Sequence, residues 1–174
     1  MGPAVVMPDL MAARWGKLVN NACVSGMSAA CGTTFGGVID DRKARACLAY
    51  LGHEVKICCE AEGLVMPLLV NGFSPDSLDI KDKAQYEENQ KMWADMYAPA
   101  RPAKASMLQD LEKGKLTEVT MINGYVSEVG RKHGIPTPFN DTVVKIVQGI
   151  ERGELPLSFD NLKYFDQSWF TYGL

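Results

Sequence analysis

Ser106-Met107-Leu108-Gln109-Asp110, running on through Thr117-Glu118 to Asn123-Gly124, reads as a short helix, a break at Lys113-Gly114-Lys115, and a long helix. Thr117 is placed to cap the second helix, with Glu118 in the first turn, where the helix dipole favours an anion. Val119, Ile122, Val126 and Val129 recur at spacings of three and four, so one stripe of that helix faces a core. Glu118 precedes Ile122 by one turn, which puts its carboxylate beside the apolar stripe. It is there either as an ordinary N-terminal charge or as the acidic wall of a pocket. Acids are common at helix starts, so Glu118 taken alone identifies nothing.

Before this stretch, Asp9 follows Pro8 and can cap a first helix with Met11, Trp15, Leu18 and Ala22 as its apolar stripe. Arg14, Lys17 and Asn21 share a neighbouring face at spacings of three and four. The small residues Ser25-Gly26-Met27-Ser28-Ala29-Ala30 allow close approach of another helix. Gly32-Thr33-Thr34-Phe35-Gly36-Gly37 reads as a loop and lacks the strand and G-x-G-x-x-G spacing of a phosphate cradle. Asp40-Asp41 opens a long helix to about Glu62, stopped by Gly63, with Ala44, Cys47, Leu48, Leu51, Val55 and Cys58 buried and a bend expected at Gly52. Lys81 to Tyr97 reads as a surface helix packed by one side.

After this stretch, Gly134 stops the long helix and Ile135-Pro136-Thr137-Pro138 is an extended link. Asn140 or Asp141 then caps a helix to about Gly153. The tail, with Phe159, Tyr164, Phe165, Trp169, Phe170 and Tyr172, is too aromatic for a disordered end and should pack on the body or on a second subunit. No segment alternates with period two over strand length. The expectation is an all-α domain of about seven to nine helices.

Composition narrows the function. The 174 residues carry a net charge of −3, with 47% hydrophobic and 22% charged residues, as in an ordinary globular chain. The acidic balance argues against nucleic acid as a partner. No apolar run approaches a membrane span, and no signal peptide is visible. The five cysteines lack C-x-x-C spacing and read as the reduced thiols of a cytoplasmic protein. His53 and His133 are too few and too scattered for zinc and read as surface residues.

Three motifs together carry a family likeness. Trp15-Gly16-Lys17-Leu18 with Asn21 resembles the W-x-K-L-x-x-N signature of ketopantoate reductases (2-dehydropantoate 2-reductases). Ser106-Met107-Leu108-Gln109-Asp110, Thr117-Glu118 and Ile122-Asn123-Gly124 resemble the S-M-x-Q-D…T-E…I-N-G block of the family. Gly134-Ile135-Pro136-Thr137-Pro138-Phe139-Asn140 resembles its G-I-x-T-P-x-N ending. The likeness spans residues 9–154 and leaves 155–174 as a tail without a matching motif. It implies the helical C-terminal domain shared by ketopantoate reductase and 6-phosphogluconate dehydrogenase. An N-terminal Rossmann domain that binds NADPH is then expected outside this chain.

By that resemblance Lys17 and Glu118 are the catalytic residues, and Asn21, Ser25 and Ser106 bind substrate. Ser25 stands where many members have a second asparagine, and the 63–106 segment is about ten residues longer than in compact members. Both features bear on the substrate. The resemblance implies NADPH-dependent reduction of ketopantoate to pantoate in pantothenate biosynthesis, a possible homodimer, and an isolated chain that is inactive. The alternatives are a reductase domain for another 2-keto acid and a helical dimerisation module whose site residues are relics.

Overall fold

The computed structural model describes residues 10–173, and within them every regular element is helical. The expected cap at Asp9 lies outside the described residues. Eight α-helices follow in order: α1 (Leu10–Asn20), α2 (Gly26–Cys31), α3 (Phe35–Asp40), α4 (Arg42–Ala61), α5 (Lys83–Tyr97), α6 (Ser106–Glu112), α7 (Val119–His133) and α8 (Pro138–Glu151). A π turn at Asn21–Ser25 joins α1 to α2, and short 3-10 turns punctuate the longer connections.

Helix α4 is the axis of the domain. Asp41 caps it by accepting from the Ala44 N–H at 2.8 Å, and Gly63, at φ +74°, takes the left-handed turn that ends it. All six residues of its expected stripe are fully buried. Each such large aliphatic side chain contributes roughly 1.5–3 kcal/mol. Helix α4 runs unbroken through Gly52. A Cβ there would stand 2.9 Å from Trp93 and Leu78, so the glycine lets α5 and the preceding connection pack close. Helix α5 is capped by Asp82 and lays Tyr86, Met92, Trp93 and Met96 on α4, with its charged face outward.

Three other expectations are corrected. The glycine-rich segment after Gly32 is loop only to Thr34. Thr34 accepts from the Gly37 N–H and starts α3, because a side-chain cap outweighs two glycines in so short a helix. The buried stripe of α1 is Ala12, Trp15 and Val19, rotated from the expected one, while Met11 and Leu18 line a surface cavity. Thr137, not Asn140 or Asp141, precedes α8, with Pro138 at its first position, where the missing N–H costs nothing. His53 is half-buried, bonded to the Leu78 carbonyl, while His133 is exposed on Glu62.

Helix α2 is buried all round, as its small residues allow. The five thiols are buried and unpaired by disulfides, and burial pushes those of Cys31 and Cys58 up to about 12. The tail folds back on its own body: Phe165 and Phe170 pack with Phe139, whose ring stacks on Tyr50 at 4.8 Å. Asn161 fastens it by donating to the carbonyls of Ala30 and Pro156. Among the described residues no helix is long and apolar enough to cross a membrane.

Candidate functional site

The π turn is the hub. It follows Lys17 closely, carries Asn21 and Ser25 at its two ends, and packs against both α6 and α7. Ser106 is the first residue of α6, and Glu118 immediately precedes α7. The fold therefore brings the elements that bear all the expected site residues to one place, although Asn21 and Glu118 lie far apart along the chain. Lys17, Ser106 and Glu118 are exposed, and Asn21 and Ser25 are half-buried. Among the described residues none of these side chains has a hydrogen-bond or ion-pair partner. They contrast with Asn20, next to Asn21, which accepts from the Tyr97 hydroxyl at 2.9 Å and is spoken for.

Local packing explains how Lys17 is presented. Gly16 is buried under Pro67, whose ring carbon would lie 3.0 Å from a Cβ, so glycine lets the 67–70 segment come down close beside α1. Lys17 then lines an open groove of about 330 Å³ with Ala13, Asn20, Leu68 and Val70. A second cavity, of about 340 Å³, lies along the same helix between Arg14, Leu18 and Met121, with the Trp15 and Tyr125 rings 5.6 Å apart at its wall. Glu118 lines neither; Met121, one turn on, belongs to the second. Lys17 and Glu118 make no ion pair with each other, so the fold gathers their elements without bringing the two charges into contact. Exposed Leu68, Val70, Met11 and Met121 leave apolar surface on both sides of Lys17.

The Glu118 side chain does not cap α7, and its carbonyl accepts from the N–H groups of Met121 and Ile122. Thr117 does part of the expected capping: its Oγ1 accepts from the Val119 N–H at 3.2 Å.

Sequence reasoning missed the buried polar network behind the hub. Glu54, on α4, accepts from the backbone N–H groups of Phe139 and Asn140 at 2.9 Å each and from Asn140 Nδ2 at 2.7 Å. Asn123 Nδ2 donates to Asn140 Oδ1 and to the Ala22 carbonyl, both at 2.9 Å. Burial pushes the Glu54 carboxyl up to about 8, against the lowering effect of its three hydrogen bonds. One signal was readable: Glu54 lies three residues after Leu51 and four before Cys58, so a carboxylate sits on the buried stripe.

Residues 9–151 match the family described as ketopantoate reductase PanE/ApbA C terminal. The chain belongs to the ketopantoate reductase family. A 2-dehydropantoate 2-reductase of Archaeoglobus fulgidus is 31% identical over 139 residues, which is 80% of this chain and 40% of that protein. The structure of a PanE/ApbA family ketopantoate reductase from Ralstonia eutropha JMP134 shares the fold, with a TM-score of 0.67 and 23% identity over 87% of this chain and 45% of that one. So does D-mandelate dehydrogenase, solved with NADH and anilino(oxo)acetate, with a TM-score of 0.67 and 20% identity over 85% of this chain and 43% of that one. The chain spans about two fifths of the length of the curated ketopantoate reductases it matches, and its helices are those of the C-terminal domain of the family.

Proposed function

We propose that this domain is the substrate-binding and proton-donating half of an NADPH-dependent ketopantoate reductase of the cytoplasm, acting in pantothenate biosynthesis. The observation that carries this reading is the set of partnerless polar side chains, Lys17, Asn21, Ser25, Ser106 and Glu118, on elements that meet at the π turn. Among the described residues there is no strand, and hence no strand–turn–helix cradle for a dinucleotide. The cofactor is then bound mainly outside this domain. A nucleotide-binding domain holds NADPH, which supplies the hydride when bound, and residues 1–174 act as one catalytic domain beneath it.

The residues of this chain then have separate tasks. The Lys17 ammonium gives its proton to the keto oxygen and stabilises the alkoxide as charge develops there; a positioned general acid is worth about 10²–10⁴-fold. Asn21, one helical turn on, holds the same end of the substrate by its amide. Ser106, at the start of α6, binds the carboxylate by its hydroxyl. Glu118 accepts from the substrate hydroxyl, and closure over substrate brings its charge towards Lys17. The apolar surface of Leu68, Val70, Met11 and Met121 suits contact with the nucleotide-binding domain, which would exclude water from the groove.

The test is turnover of ketopantoate with NADPH and with NADH by the polypeptide that carries this domain behind its nucleotide-binding domain. NADPH-dependent turnover is expected there, and none from the 174-residue chain. Turnover by the chain alone would refute the division of labour. One observation favours a second reading, a related 2-keto acid as substrate: Ser25 reaches less far than an asparagine would. A higher kcat/KM for another 2-keto acid in the same assay would establish it.

A further inference from the structure

We propose that Asn123 is a positioning residue: by holding the Ala22 carbonyl it keeps residues 21–25 in the wide turn that presents Asn21 and Ser25. The significance for catalysis rests on the reading of those two residues as substrate contacts. In the turn, the Gly26 N–H reaches back five residues to the Asn21 carbonyl, the π spacing, in place of the four of an α-helix. Such insertions into the helical ladder persist where a neighbouring group engages the freed backbone, and they recur at functional sites. Here that group is the Asn123 amide, at 2.9 Å from the Ala22 oxygen and fully buried.

The direction of the amide is dictated from the far end of the network. Glu54 Oε2 accepts from both the N–H and the Nδ2 of Asn140, so the NH2 of Asn140 must face it. Asn140 then turns its oxygen to Asn123, and Asn123 turns its own NH2 towards both Asn140 and Ala22. Each amide is oriented by the one before it, and the series ends on the turn. Gly26 completes the fit, since a Cβ there would stand 3.0 Å from Asn123 Oδ1 and 3.2 Å from Val143 Cγ1. Reversion of the turn to α geometry would shift Ser25 relative to Lys17 by about one residue, roughly 100° and 1.5 Å. A misplacement of that size costs about 10²-fold where geometry matters.

Two variants perturb Asn123 from opposite sides. Asn123→Asp keeps the shape and removes the donor; Gly26→Ala adds the crowding methyl while raising helix propensity, which protects the fold. Val126→Ala, in the same helix and core, is the control for plain destabilisation. Backbone amide and carbonyl shifts of the 174-residue chain are recorded by NMR, with ketopantoate as the titrant. The expected result is a shift change shared by both variants at residues 21–24, away from either substituted position, and absent from the control, with at least about tenfold weaker ketopantoate binding. Unchanged shifts at 21–24 in both variants would overturn the proposal, as would a displaced turn with unchanged affinity. If Asn21 and Ser25 of the unmodified chain do not respond to ketopantoate or another 2-keto acid, the substrate reading falls. The displaced turn would then still establish Asn123 as what holds it.

Discussion

Thr117 donates both its backbone N–H and its hydroxyl to a single oxygen of Glu151, each at 2.7 Å. The bond ties the residue before Glu118 to the last turn of α8. The backbone just before the exposed acid is thus anchored by a residue 34 positions beyond Thr117.

Removing that anchor should loosen the start of α7. Glu151→Ala is expected to cost roughly 1–2 kcal/mol, since a charged acceptor for two donors is lost. Glu151→Gln, which keeps one acceptor oxygen, should cost less. Urea unfolding of the two variants checks the order, and equal stability of Glu151→Ala and the parent would show that the clamp contributes nothing.

Lys17 should separate function from stability. Its amine is exposed and without a partner among the described residues, so Lys17→Ala should change stability by no more than about 0.5 kcal/mol. In the assembled reductase the same change should lower kcat by about 10²–10⁴-fold. Paired melting curves and steady-state kinetics test both halves.

Glu54 makes stability depend on pH in a definite direction. Its carboxyl is raised from an ordinary 4.5 to about 8, chiefly by burial. Between those values the folded chain holds a proton that the unfolded chain has released, so stability falls as pH rises through that window and levels off above it. The loss is on the order of a few kcal/mol. Glu54→Gln should flatten this slope, as read from denaturant midpoints measured from pH 5 to 9. A parent chain whose stability is flat there would contradict a proton on Glu54.

The tail should behave as core. Phe165 is fully buried against Phe139, so Phe165→Ala is expected to cost about 3–5 kcal/mol. Truncation after Glu154 should uncover Phe139 and Tyr50 and lower the melting temperature sharply. If the truncated chain instead kept its melting point and changed only its mass by light scattering, the tail would be an interface, as one reading of its aromatic content allowed.

The periodicity of apolar residues was enough to find the long helices, though not α3 or the buried face of α1. The stripe of α4 is buried at every expected position, and Gly63 and Gly134 end their helices with positive φ as caps do. The motif residues Lys17, Asn21, Ser25, Ser106 and Glu118 could be picked out from short local patterns, and among the described residues the structure leaves their side chains without hydrogen-bond or ion-pair partners.

What lay beyond the sequence was set by contacts between distant segments. The π turn has no local signature, since Ala22 and Cys23 would continue an α-helix as readily. It exists because Asn123, 101 positions away, satisfies the Ala22 carbonyl. Gly52 and Gly16 look like helix weaknesses in one dimension and are close-approach sites for Trp93 and Pro67 in three. Local propensities amount to less than about 1 kcal/mol per residue and fix which segments are helical. Burial and the need to pair every buried polar group weigh more heavily, and only the assembled tertiary structure determines which carbonyl, amide or carboxylate they act on.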